Sequence, residues 1–246
     1  GDFEIQVESK AHDEIGMLIQ SFNYMVSRLR QLIMEVYQQK LAQKNAELTA
    51  LQAQINPHFL YNTLDAIVWL AEENKSAEVV KMVTSLSDFF RTTLSRGHDY
   101  ITVKEERTHI ESYLEIQQFR YQDILDYEIQ MDEEIYGYII PKLTLQPLVE
   151  NALYHGIKNK RGKGKILITG KKQGDKIIFQ VIDNGKGMTE EELNSLRKKM
   201  AGTDTGDEAK GFGVSNVNQR IKYYYGGEYG VFFESKENEG TNATII

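Results

Sequence analysis

The chain has 246 residues, of which 41% are hydrophobic and 26% charged, which is ordinary globular composition with enough apolar material for a sizeable core. Its 29 basic and 36 acidic residues leave a net charge of −7, which argues against a general nucleic-acid binder. Cysteine is absent, so disulfides, thiolate metal sites, iron–sulfur clusters and Cys nucleophiles are excluded. No apolar run approaches the roughly 18 residues of a membrane span. No signal peptide opens the chain, and it begins at Gly1 rather than Met, so a fragment of a longer protein is expected.

Residues 13–56 read as one long polar helix. Phe22, Met25, Leu29, Leu32 and Val36 recur at spacings of three and four, and so do Leu41, Lys44, Leu48, Leu51 and Ile55. A narrow apolar stripe flanked by Gln, Lys and Glu predicts a parallel two-helix coiled coil, with a register slip between Val36 and Leu41. Pro57 interrupts this pattern. A second helix carries His58, Phe59, Leu60, Leu64, Ile67, Val68 and Leu70, and a third, Ser76 to Leu94, carries Val79, Val80, Val83, Leu86, Phe89 and Phe90. Joined by a polar turn at 72–75, they predict an antiparallel hairpin that doubles into a four-helix bundle in a homodimer. Thr102-Val-Lys-Glu105 fits a capping box and opens a helix to about Arg120. His12, His98 and His109 sit among polar neighbours and read as solvated.

Glycine marks the change of architecture. Only Gly1, Gly16 and Gly97 precede Gly137, so the first half suits long helices and the second suits turns and close backbone approaches. Strands are predicted at 124–131, 165–171, 177–183, 229–235 and 242–246, and helices at 145–157, 190–200 and 214–225. The hairpin across Gln173-Gly-Asp175 favours a two-layer α/β sandwich over a Rossmann sheet. The fold class is therefore α+β: a helical coiled coil and dimeric bundle, then the sandwich. The expected divisions are 1–30, 31–56, 57–122 and 123–246.

Three elements carry chemistry. Asn151 and His155 lie i and i+4 on the helix beginning Leu145-Gln-Pro147, so both are expected on one face. A polar pair buried beside Leu148, Val149 and Leu153 is costly unless it binds something, and an Asn oxygen is a hard ligand suited to Mg²⁺. Asp183 ends a strand and precedes Asn-Gly185-Lys-Gly187, where a carboxylate can accept from an exocyclic amine and glycines admit a flat ring. Gly211-Phe212-Gly213 precedes a helix whose amides and dipole suit phosphate. The segment 188–210 before it, with the polar stretch 202–207, reads as a lid.

These elements, in this order, resemble the GHKL nucleotide-binding superfamily of histidine kinases, gyrase, Hsp90 and MutL. Residues 148–156 are similar to its N box, 183–188 to its first glycine box and 211–216 to its second. The resemblance implies that Asn151 holds Mg²⁺, that Asp183 reads the adenine amine with help from Thr241, and that His155, Lys158, Gly185, Gly187, Gly211, Phe212 and Gly213 line the nucleotide.

The first half is similar to sensor histidine kinases of the LytS/YesM type. Gln54-Ile-Asn-Pro-His58-Phe-Leu-Tyr-Asn62 resembles the phosphoacceptor motif, and Leu86–Arg91, Tyr113–Ile116 and Ile140–Asn151 fit the same family. Asp13-Glu-Ile-Gly16 resembles the second-helix entry of a HAMP linker. The resemblance implies ATP and Mg²⁺ as cofactors, His58 as phosphoacceptor, a homodimer, and a response-regulator receiver domain as partner. It also implies the cytoplasmic portion of a bacterial membrane protein, anchored through an upstream segment. Phe59 stands where many histidine kinases carry an acid, which leaves the base for His58 open; Glu150 is a candidate catalytic residue as a substitute for the Glu base of the GHKL ATPases, and Asn62, one turn on, is a candidate for orienting water in a phosphatase reaction. Tyr154 stands where the family often has Lys, with Lys158 as the substitute phosphate contact. The rival readings are a GHKL ATPase and a non-catalytic ATP-binding scaffold. The first lacks support at Pro147, where those enzymes carry a Glu base.

Overall fold

The computed structural model describes residues 14–53, 57–94, 99–200 and 212–246, with side chains described for 15–40, 57–94, 99–200 and 213–246. Its contacts divide the chain into two units, 1–57 and 58–246. The first is built on α1 (Glu14–Ala53). Phe22, Met25, Leu29, Leu32 and Val36 are all exposed on α1, so the stripe expected to seam a coil has no cover within the single chain. The second half of that stripe, from Leu41, lies outside the described side chains, as does the slip between it and Val36.

Pro57, at the boundary between the units, opens α2 (Pro57–Glu72), the position where its missing N–H costs nothing. The end of α2 is a Schellman motif. Asn74 takes φ 59°, its N–H donates to Ala71 O at 3.0 Å, and Lys75 N–H donates to Leu70 O at 2.9 Å. That reversal leads into α3 (Ser76–Leu94), which packs along α4 (Val103–Arg120). The expected capping box of α4 is formed: Thr102 Oγ1 accepts from Glu105 N at 3.2 Å, and Thr102 N donates to Glu105 Oε2 at 2.7 Å. Phe59, Phe89 and Tyr113 close the contact of α2, α3 and α4, with the Phe59 ring centroid 4.9 Å from Phe89 and 5.4 Å from Tyr113.

The rest is a five-stranded sheet in the order β2-β4-β5-β7-β6, with β2 Leu125–Met131, β4 Gly164–Gln173, β5 Lys176–Asp183, β6 Val231–Lys236 and β7 Gly240–Ile245. The β2–β4 pair is parallel and the others antiparallel. Ile166, Ile168, Phe179, Val181, Phe233 and Ala243 form its buried face, with Leu148, Leu153, Val217 and Ile221 from the helices α5 (Gln146–Asn151) and α7 (Phe212–Tyr225) in the same core. Helix α6 (Glu190–Met200) matches its predicted span. Two three-residue strands, β1 (Tyr100–Thr102) and β3 (Ile139–Pro141), pair antiparallel and were not foreseen, being too short to carry a period. They tie the start of α4 to the run-in of α5.

Two expectations are corrected. The helix predicted over 145–157 is α-helical only through Asn151, continues as a π turn at Ala152–Gly156, and ends in a 3₁₀ turn at Ile157–Asn159. His109 is fully buried rather than solvated. Its Nε2 lies 2.7 Å from Gln146 Oε1 and its ring stacks on Phe89 at 4.6 Å.

Candidate functional site

Strand β5 delivers Asp183 to the end of the sheet, opposite Thr241 in the β7 register. Its side chain is buried, with Oδ1 accepting from Gly185 N at 2.8 Å and the Thr241 amide also bonding the carboxylate. Burial pushes its pKa up to about 6, against the pull of those two amides and of Lys160. Two amides leave the carboxylate with acceptor capacity to spare, which suits an amine donor.

Glycine is required around it. A Cβ on Gly156 would fall 2.5 Å from Asp183 Oδ1, and one on Gly185 would run into the Gly156 backbone. Gly187 takes φ 67° with its Cβ direction filled by the Lys236 carbonyl, and Gly240 takes φ 116° against the Asp183 carbonyl. Thus three chain segments, 156, 183–187 and 236–240, meet backbone to backbone. Ser235 locks them: its hydroxyl accepts from Met188 N at 2.9 Å, donates to Gly240 O at 2.9 Å and lies 2.8 Å from Thr241 Oγ1. Lys160 Nζ donates to Asn184 O at 2.7 Å, closing the same corner. Gly156, Ser235, Gly240 and Lys160 were not among the candidate site residues. Only Gly156 and Gly240 had a readable signal, as glycines ending one motif and preceding Thr241.

The π turn decides what becomes of the Asn151–His155 pair. Asn151, last in α5, is half-buried, and its carboxamide makes no hydrogen bond among the described residues. That leaves a hard amide oxygen free, which fits a divalent cation. His155 is exposed, so the two do not form the buried pair expected; the wider turn from Ala152 breaks the helical repeat between them. Glu150 is held on another side of α5 by Gln146, whose Nε2 donates to Glu150 Oε1 at 2.8 Å while its Oε1 meets His109. Burial raises the Glu150 pKa, with Gln146 opposing.

Lys158 is exposed and its ammonium sits over two rings, 4.9 Å from Tyr154 and 5.0 Å from Tyr121. A Cβ on Gly213, the second residue of α7, would lie 3.3 Å from Pro147, so this end of α7 abuts α5. Gly211 and the Phe212 side chain lie outside the described residues, as does the polar stretch 202–207 expected in a lid.

In the other half of the unit His58 is exposed on the first turn of α2, while Phe59 beside it is buried. Phe59, where the resemblance led an acid to be expected, therefore has a packing role. Asn62 is half-buried, and its Nδ2 has no hydrogen-bond partner among the described residues.

Three family profiles match this chain. That of the histidine kinases covers residues 46–125, that of the histidine kinase-, DNA gyrase B-, and HSP90-like ATPases covers 141–246, and that of the HAMP domain covers 1–31. The protein YwpD of Bacillus subtilis, described as putative and uncharacterized, is 34% identical over 231 residues, covering 92% of this chain and 78% of YwpD. The sensor histidine kinase YesM of the same organism is 37% identical over 241 residues, 98% of this chain and 40% of YesM. The chain belongs to the histidine kinase family.

The sensor protein LytS of Bacillus anthracis is 33% identical over 210 residues, 85% of this chain and 35% of LytS. The histidine kinase chain thus spans less than half the length of YesM and LytS. Among solved structures, the catalytic domain of histidine kinase ThkA is 19% identical with a TM-score of 0.45, covering 59% of this chain and 92% of that one. The ATPase-family match implies ATP binding. No described helix is long and apolar enough to cross a membrane.

Proposed function

We propose that this histidine kinase chain autophosphorylates on His58 with Mg²⁺-ATP and passes the phosphoryl group to an Asp on a response-regulator receiver domain. The observation that carries the reading is the buried Asp183, braced by two amides in a corner that admits only glycine at 156 and 185. Asp183 accepts the adenine amine; Gly185, Gly187 and Gly213 let the nucleotide approach the backbone; and the free oxygen of Asn151 would hold Mg²⁺. The cation supplies charge neutralisation on the phosphates. His58 is exposed and has a ring-nitrogen lone pair when neutral. That nitrogen forms the new N–P bond to the γ-phosphorus, the bond to the bridging oxygen breaks, ADP leaves, and the imidazole sheds its N–H proton.

The working unit is a homodimer, because the apolar stripes of α1 and of α2 and α3 are uncovered in one chain. The HAMP match at 1–31 supports a place on the cytoplasmic side of a membrane protein, with the input arriving through α1. The divisions at 1–30, 31–56, 57–122 and 123–246 are proposed as HAMP remnant, signalling coil, phosphotransfer bundle and catalytic domain. His155 and Lys158 line the phosphate side, and Thr241 backs Asp183.

The test is incubation with Mg²⁺ and γ-labelled ATP beside His58→Gln and Asn151→Ala. Acid-labile, alkali-stable protein label, lost in both variants, is the expected result. Free phosphate without label would make the chain an ATPase, and tight ATP binding with neither product would make it a scaffold.

A further inference from the structure

Glu106 lies on α4, outside every motif of the nucleotide site, and is fully buried. Its Oε1 accepts from Leu145 N at 2.7 Å and its Oε2 from Leu143 N at 3.0 Å, and the Thr144 amide bonds it as well. Leu145 is the N-cap of α5, a position where Ser, Thr, Asp or Asn usually supplies a side-chain acceptor and where Leu supplies none. A carboxylate from a different helix therefore does the capping, at the end of α5 where the dipole favours negative charge. Leu143 takes φ 56°, a left-handed conformation that a leucine holds only when its surroundings fix it.

The same loop is gripped from the other side. Arg220 of α7 donates from Nη2 to Leu143 O at 3.1 Å and to Thr144 Oγ1 at 3.4 Å, and its charge faces that of Glu106. The loop 143–145 thus joins α4, the start of α5 and the middle of α7. Helix α5 ends at Asn151 and α7 begins at Phe212, so the two ends read as nucleotide-facing extend from elements locked at this point. The β1–β3 pair reinforces it, with Lys142 N donating to Asp99 O at 3.0 Å just before the loop.

We propose that Glu106 is a positioning residue for Mg²⁺-nucleotide binding: by capping α5 from α4 at the loop that Arg220 of α7 also holds, it sets the place of Asn151 relative to α7. The proposal rests on the reading of the site as a Mg²⁺-ATP site. A purely structural Glu106 would affect all ligands alike. A positioning Glu106 affects chiefly the part of affinity that Asn151 supplies, because Asp183 is held by β5 and β7 and meets the loop's chain only through Gly156, beyond the π turn.

The experiment measures binding of ADP to the whole chain by calorimetry, with Mg²⁺ and with EDTA, for wild type, Glu106→Gln, Arg220→Met and the double variant, each checked for a cooperative melt. Glutamine keeps the size of Glu106 but turns an N–H₂ toward a backbone N–H, so the cap fails without a cavity. The expected result is EDTA-state affinity within twofold of wild type, a Mg²⁺-dependent gain reduced at least tenfold in each single variant, and no further loss in the double. In autophosphorylation the KM for Mg²⁺-ATP rises by the same factor, with the label still on His58. An unchanged Mg²⁺ gain in a folded Glu106→Gln overturns the proposal, and so does an equal loss with and without Mg²⁺. If Glu106→Gln does not fold, Arg220→Met carries the same two comparisons. A wild-type chain that binds no ADP overturns the reading of the site, and the proposal with it.

Discussion

Gly156 lies so close to Asp183 that a Cβ added to it would fall 2.5 Å from Oδ1. Its φ of −83° is open to any L-residue, so the requirement for glycine here is one of space and not of backbone conformation. The Asp183 carboxylate cannot yield without leaving the Gly185 amide. Gly156→Ala should therefore displace Asp183 and lower nucleotide affinity at least tenfold, with a loss of stability of about 1–3 kcal/mol from overpacking. Calorimetry with ADP and a thermal melt check both numbers. An alanine variant of wild-type affinity would remove Asp183 from the adenine site.

The raised pKa of Asp183 predicts a pH profile. With a folded-state value of about 6, the carboxylate is ionised at pH 7 and takes up a proton as pH falls through 6. Binding that needs the ionised form should weaken over that window, by about tenfold at pH 5 relative to pH 7. Adenosine is the ligand to use, because it has no phosphate of its own to titrate. Asp183→Asn should bind it weakly and with a flat profile between pH 5 and 8.

The parts of this site that a reader of the sequence can find are those where residue type is forced. Gly185 and Gly187 are forced by close approach and a left-handed turn, and the α4 start is announced by Thr102 and Glu105 at capping-box spacing. The same reading paired Asn151 with His155 because four residues make one helical turn; the π turn that separates them leaves no trace in composition. It also set His109 on the surface and passed over Glu106. Along α4 those polar residues share the buried stripe with Ile110, Tyr113 and Leu114, so the apolar period is blurred. What permits them to be buried is Gln146 and the amides of Leu143 and Leu145, 37 to 39 residues further on, and no local pattern points there.

Tyr61, Leu64 and Val68 form one exposed line on α2, and Val80 and Val83 another on α3, with exposures between 45 and 66%. Uncovered apolar side chains at helical spacing are what a bundle partner would bury. Val68→Glu places a charge in that seam, at a cost of several kcal/mol per buried unpaired carboxylate. The variant should run as a monomer in sedimentation at micromolar concentration, where the wild type runs as a dimer. It should keep its nucleotide affinity, since α2 contributes nothing to the Asp183 corner. A Val68→Glu chain that stays dimeric would place the seam elsewhere.

The last prediction concerns stability against pH, and its sign follows from Glu106. Burial raises its pKa to about 7 from an ordinary 4.5, against the three loop amides and Arg220. A group whose folded value lies above its unfolded one contributes stability that is complete below the unfolded value and is lost as pH rises through the folded value. Going from pH 8 to 6.5, the fold should therefore gain about 1 kcal/mol from Glu106, or roughly 2–4 °C in a domain of this size. His109 opposes this only at lower pH. Its pKa is lowered by burial, so stability is lost once the unfolded chain begins to bind a proton there, below about 6.5. Asp183, with its value of about 6, adds to the gain on the acid side of that window. The melting temperature should thus climb from pH 8 to 6.5 and climb less steeply below it, where His109 offsets part of the gain from the carboxylates. Glu106→Gln has no proton to take up, so its melting temperature should stay flat over the alkaline limb. A slope that survives in that variant would assign the effect to another group and leave Glu106 with an ordinary pKa.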